Sequence, residues 1–337
     1  MKQVVRWAFC CTLAAGLLSC HFSGPVVNQT DVADSLYNSG QLRPYTDSIR
    51  LYPRNALYYF KRSELLYNLQ QFVLSRNDLL RASLLNPQEP GFYYALGEVN
   101  LALHSLDSAR HDYNKAMELD KGDQQIRLRL ADVLFLLKED GLSRLELDTL
   151  LRVDPGNAEG HGLISQVYED QGDTARAIGE MERAVKLSPQ NYDALMAMGD
   201  LYSAVHQPKA VDFYHKAYLL DTTQEEPLYA MGLYYHKMQQ DDQAIAVLKQ
   251  CIGTNHYYPG SYLELGKIYF QHAQIENALK MFNLATKVDP MNAQAYYQMG
   301  LCNESAGKRQ QARTDYRQAY ALDNHMNEAK AALNRLK

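Results

Sequence analysis

The chain has 337 residues, 46% of them apolar and 22% charged, which excludes wholesale disorder and leaves ample material for a core. Its formal net charge is −5, from 34 Lys and Arg against 39 Asp and Glu, which argues against a surface held to nucleic acid by general phosphate attraction. Five cysteines are too few for a disulfide scaffold of this length, and three of them (Cys10, Cys11, Cys20) lie in the first twenty residues.

Lys2 and Arg6 open the chain, and residues 7–19 follow without a charge. That stretch is too short to span a bilayer of about 30 Å, which needs about 20 residues, and it has the form of a secretory signal. It ends in Leu17-Leu18-Ser19-Cys20, which resembles the lipobox of bacterial lipoproteins. The resemblance implies removal of residues 1–19, lipidation of Cys20 and a mature chain held on a membrane. The other reading is an ordinary signal peptide that happens to contain a cysteine. Several acyl chains hold firmly, since each buried CH₂ contributes about 0.8 kcal/mol. His21, where an Asp would signal retention in the inner membrane, points to the outer membrane facing the periplasm. Residues 20–30 contain Ser23-Gly24-Pro25 and read as a tether. No later stretch is apolar and long enough to span a bilayer.

Beyond residue 30 the sequence repeats itself. Pro53, Pro87, Pro155 and Pro189 are 34, 68 and 34 residues apart, and Gly232, Gly266 and Gly300 are 34 apart. Gly199 to Gly232 is 33, so one residue is missing, and the series Ala109, Ala177, Ala210, Ala244, Ala278, Ala312 places the deletion in the turn at residues 204–208. A third series, Ala82, Ala116, Ala184, Ala217, Ala285, Ala319, has Leu150 and Cys251 in its gaps. Each unit carries two helical patterns, such as residues 295–305 and 309–321, joined by Ala306-Gly307-Lys308. Small residues at fixed places let helix backbones approach to about 8–10 Å.

With Tyr262, Leu265-Gly266, Tyr269, Ala278, Phe282, Ala285 and Pro290, the seventh unit resembles the tetratricopeptide repeat. The resemblance implies an all-α, right-handed superhelical solenoid of helix-turn-helix units. Residues 31–53 read as an N-terminal half repeat, 54–324 as eight units and 325–337 as a capping helix. Units one, three and four depart at the glycine (Ser63, Ala131, Ser165), each time with a small residue.

The ten histidines show no zinc spacing, and neither a nucleophile elbow nor a phosphate loop is present, so we expect no enzyme, no metal and no cofactor. In the family, side chains just after the consensus aromatic and just after the glycine line the concave face. By that resemblance the face holds Phe60, Tyr94, Tyr229, Leu263 and Tyr297. Glu64, Glu98, Asp132, Gln166 and Asp200 stand beside them, 34 residues apart. The row then becomes Leu233, Lys267 and Leu301, more apolar and mildly basic. The expected function is a membrane-anchored scaffold that binds a protein or peptide with a basic or neutral segment in this groove. The alternative is a lipoprotein that binds a glycan or other small ligand on its tyrosine-rich face.

Overall fold

The computed structural model describes residues 36–336, so the leader, Cys20 and the tether lie outside the described residues. Among the described residues the secondary structure is helical throughout, in two compact units. The first, ending at Leu103, holds α1 (Arg43–Leu51), α2 (Ala56–Asn68), α3 (Phe72–Leu85) and α4 (Pro90–Ala102). The second begins at His104 with α5 (Leu106–Leu119), α6 (Gln124–Leu136), α7 (Asp140–Val153), α8 (Ala158–Asp170) and α9 (Thr174–Leu187). It continues with α10 (Tyr192–Ala204), α11 (Lys209–Leu220), α12 (Glu226–Lys237), α13 (Asp241–Thr254) and α14 (Pro259–Gln271). It closes with α15 (Ile275–Val288), α16 (Ala293–Ser305), α17 (Arg309–Leu322) and α18 (Asn327–Arg335).

Within each unit the helices pack in chain order, each on the next. In the second unit the first helices of successive pairs also approach one another, α6 with α8, α12 with α14 and α14 with α16, whereas successive second helices approach less. The first helices therefore form the tighter layer.

The small-residue series explain the pairing. Ala177, Ala210, Ala244, Ala278 and Ala312 are fully buried, as are Ala217, Ala285 and Ala319. Each glycine lies under the large residue of its partner helix. A Cβ at Gly199, Gly266 or Gly300 would stand 2.4–2.5 Å from the ring of Tyr214, Phe282 or Tyr316, and one at Gly232 2.7 Å from Leu248. Repeats one, three and four, which lack the glycine, cross differently. Ser75 Oγ donates to the Ser63 carbonyl (2.9 Å), Ser143 Oγ to that of Ala131 (2.8 Å) and Ser165 Oγ to that of Ala177 (2.7 Å). A hydrogen bond across the crossing there replaces a ring lying on a glycine.

Turns and ends repeat as well. Asn55, Asn157, Asn191 and Asn292, each two residues after a proline, accept backbone N–H groups at the starts of α2, α8, α10 and α16. The consensus aromatic is tied back to the chain six residues earlier: Tyr59 donates to the Pro53 carbonyl and Tyr262 to that of His256, both at 3.2 Å. The turn inside each pair contains one left-handed residue, at Gln70, His104, Lys138, Gly172, His206, Gln239, Ala273 and Gly307. The missing residue falls where the Ala series put it. Between Ala204 and Ala210 the turn is longer and α11 has 12 residues where α9 and α13 have 14.

Both ends are closed by polar ties. In the first unit Arg62 replaces the consensus leucine and binds Asp78 through two hydrogen bonds of 2.7 Å, a third to Thr46 and a stacked contact with Tyr37 at 4.0 Å. At the other end α18 buries Ala329 and Ala332, and its Arg335 reaches Glu304 of α16 at 2.7 Å.

Candidate partner-binding surface

All the residues expected to line a binding face lie on first helices and reach solvent. In the first unit Phe60 (α2) has its ring 5.2 Å from that of Phe92 on α4. Glu64 is exposed and pairs with Lys61 at 2.9 Å, while Tyr94 and Glu98 are half-buried on α4.

In the second unit Asp132 (α6), Gln166 (α8) and Asp200 (α10) are half-buried. Asp200 accepts a 2.7 Å hydrogen bond from Tyr214 Oη, so the large residue under Gly199 also holds this carboxylate. Burial first, and the Asp200 charge second, push the Tyr214 phenol far above its ordinary value. Near Asp200 stands Glu169, which sequence reasoning did not single out. Its carboxyl is pushed up by desolvation first and then by Asp200 and Asp170, although the side chain still reaches solvent. Carboxylates of α8 and α10 thus repel one another, and in that setting a cation is favoured over a further anion. Some of the acidity is answered locally: Lys138 pairs with Asp170, and Arg129 with Glu159 at 3.0 Å.

Further along, Tyr229 (α12) makes an edge contact with Tyr258, ring centres 5.1 Å apart, and both rings lie against Gly260, where a Cβ would be 2.9 Å from Tyr258. Burial, then Glu264, pushes the Tyr229 phenol up. Burial, with Cys251, Glu225 and Glu226 behind it, pushes Tyr258 up to about 12. Tyr192 is raised in the same way by burial and then by Glu226, Asp193 and Asp221. Leu263 and Lys267 follow on α14, and Tyr297 on α16 packs against Tyr316 with ring centres 5.6 Å apart. Lys267 Nζ lies 2.6 Å from Glu264 Oε1 on its own helix, so the basic turn expected of the row is neutralised within one side-chain pair. Glu169, Glu226, Glu264 and Tyr258 escaped the 34-residue pattern because three of them occupy other helix positions and Tyr258 lies in an inter-repeat turn.

Among the described residues no group of three or more His, Cys, Asp or Glu could hold a metal ion. The nearest to one is Asp241, which accepts hydrogen bonds from His236 Nδ1 (2.7 Å) and His272 Nε2 (2.6 Å) and so clamps α12, α13 and α14. Partial burial works against the Asp241 charge, but the two imidazoles outweigh it and hold its carboxyl below the ordinary range. Cys251 and Cys302 are free and buried, and burial pushes the Cys251 thiol up to about 11 and Cys302 to about 12, which makes both unreactive. Among the described residues no helix is long and apolar enough to cross a membrane.

Models of the tetratricopeptide repeat match residues 100–167, residues 163–214 and 263–333, and residues 225–255. The chain is 21% identical over 276 residues to the human mitochondrial import receptor subunit TOM70, covering 80% of this chain and 39% of that protein. It is 22% identical over 328 residues to mouse tetratricopeptide repeat protein 16, covering 89% and 42%. The chain thus spans about two fifths of the length of these curated relatives. Among solved structures, the C-terminal part of a repeat-containing protein from Cytophaga hutchinsonii aligns with a TM-score of 0.59 at 17% identity, covering 73% of this chain and 99% of that one. A tetratricopeptide repeat protein from Parabacteroides merdae aligns with a TM-score of 0.55 at 14% identity, covering 73% and 98%. These likenesses establish the solenoid fold. All three matched models are of repeats that serve as interaction scaffolds rather than catalysts.

Proposed function

The chain belongs to the tetratricopeptide-repeat family, and from that premise we propose that it is a lipid-anchored scaffold of the bacterial envelope, holding a protein partner with a basic or neutral segment on its first helices. The observation that carries this reading is the set of solvent-reaching carboxylates on successive first helices, Asp132, Glu169 and Asp200. A cationic side chain placed there would relieve the mutual repulsion of the carboxylates. The anchor rests on Leu17-Leu18-Ser19-Cys20, outside the described residues, and the outer membrane facing the periplasm is its proposed location.

The tyrosines support the peptide reading better than the glycan one. Tyr229 and Tyr258 meet each other and Gly260, and Tyr297 meets Tyr316, so their rings are engaged within the fold rather than open for stacking on a sugar. The test is a charge exchange. A partner recovered from detergent-solubilised envelopes should bind the Asp132→Lys, Glu169→Lys double variant at least about tenfold more weakly than wild type. The control, Asp148→Lys with Asp212→Lys, alters exposed positions of the second helices α7 and α11 and should leave affinity unchanged. Equal affinity of both variants would move the binding surface elsewhere.

A further inference from the structure

The second helix of each pair buries one face, so its opposite face is ordinarily polar. On α5 that face carries Asp107, Asn114 and Glu118, all exposed. The residues 34 positions earlier, on α3, are Val73, Leu80 and Leu84, which are 52%, 46% and 74% exposed. At about 100° per residue they fall within about 40° of arc. They point away from Ser75, Leu79 and Ala82, which are buried. Arg76 and Arg81 flank the stripe on its two sides, and neither makes an ion pair among the described residues. At the end of α3, exposed Tyr52 and Arg54 border a shallow cavity of about 630 Å³ with Leu85. Residues 36–103 carry seven Lys or Arg against five Asp or Glu, whereas the whole chain has a net charge of −5.

An apolar stripe with an arginine on either side suits an anionic bilayer surface, where leucines enter the region between headgroups and acyl chains and guanidinium groups meet phosphates. The stripe lies in the unit nearest in sequence to Cys20. Fifteen residues lie between Cys20 and Leu36, a span of at most about 55 Å. An anchored chain would hold α3 near the membrane at high effective concentration, so that a few leucines and arginines suffice.

We infer that the outer face of α3 lies on an anionic phospholipid surface, with Leu80 at the centre of the contact and Arg76 and Arg81 on lipid phosphates. This rests on the proposed lipid anchor. The chain's single tryptophan is Trp7, so Leu80→Trp in a Trp7→Phe background provides one reporter on α3, and Asn114→Trp the control. In vesicles with about 30% phosphatidylglycerol and brominated acyl chains, the reporter at 80 should be quenched about threefold more than the control. Each arginine near such a surface contributes about fivefold in affinity, so adding Arg76→Glu and Arg81→Glu should reduce quenching to the control level. Equal quenching at 80 and 114 in vesicle-bound protein overturns the inference. So does burial of the reporter in a dimer without vesicles, which would give the face to a second copy. If wild type carries no lipid, the anchor reading fails by itself, and the same comparison is made with the chain tethered through an N-terminal hexahistidine to nickel-chelating lipid. Quenching at 80 then supports the face, and its absence overturns it.

Discussion

Replacing Gly266 by Ala should destabilise the seventh repeat, although alanine is the better helix former. The added Cβ would stand 2.5 Å from Cε1 and 2.7 Å from Cδ1 of Phe282, whereas carbon atoms at ease are about 3.5–4.0 Å apart, so the ring must retreat by about 1 Å. Phe282 is fully buried, with Leu263, Met299 and Cys302 around it, and has little room. Overpacking of this kind costs about 1–3 kcal/mol, and the gain in helix propensity returns about 1 kcal/mol. With the Cβ as close as 2.5 Å the overpacking outweighs the propensity gain, for a net loss of up to about 2 kcal/mol. Gly179 on α9 has nothing within 4 Å of such a Cβ, so Gly179→Ala should stabilise by about 0.5–1 kcal/mol. The third repeat supplies the rescue, since Ala131 packs there with Leu147. Adding Phe282→Leu to Gly266→Ala recreates that pair and should show a favourable coupling of about 1–2 kcal/mol in a double-mutant cycle. Urea unfolding followed by circular dichroism, with hydrogen exchange resolved over α14 to α17, measures both. If Gly266→Ala stabilises as Gly179→Ala does, or the two changes are additive, the ring does not dictate the glycine.

Ser165→Ala removes the 2.7 Å hydrogen bond to the Ala177 carbonyl and should cost about 1 kcal/mol in urea unfolding, felt most in α8 and α9. Ala273→Gly relieves a side chain held at φ 56° and should raise stability by about 1 kcal/mol by the same assay. Hydrogen bonds from Arg335 and Tyr316 hold the Glu304 carboxyl below its ordinary range. Because the folded value is depressed, this support for α18 is present above the ordinary Glu value of about 4.3 and is lost as pH falls below it. Hydrogen exchange of α18 should therefore rise selectively in acid, and Glu304→Gln should remove that selectivity.

What the sequence made legible was whatever recurs for a steric reason. Residues 306–308 read as a turn, and α16 ends at Ser305 while α17 begins at Arg309. The missing residue could be placed because a glycine under a ring and an alanine at a crossing tolerate no shift in register. The left-handed turn position was not legible, because only Gly172 and Gly307 mark it and six other repeats place a side chain there at a modest local cost. The serine crossings were hidden too. Ser63 and Ser165 read merely as small substitutes for glycine, yet Ser165 donates across the crossing while Ser63 offers its carbonyl to Ser75. At the surface, Lys267 read as a basic element of the row, but Glu264 three residues before it cancels that charge. Position in the repeat fixes where a side chain stands, and not which neighbour on its own helix answers it.

That difference decides which residues can report on binding. Asp200 belongs to both systems, since it reaches solvent on α10 and also accepts the hydroxyl of Tyr214, the ring that lies under Gly199. A lysine there would remove a carboxylate from the face and leave a fully buried ring without its acceptor, so lost affinity could not be separated from a loosened crossing. Tyr316 and Glu304 are coupled in the same way at the other end of the array. Glu169 is exposed on the same first helix as Ser165, whose own hydroxyl closes the crossing. Because solenoid stability is a sum of local and nearest-neighbour terms, a change at Glu169 is confined to about three repeats. Its effect on a partner can therefore be read against an unchanged fold, and Glu169 is for that reason the sharper probe of the acidic face.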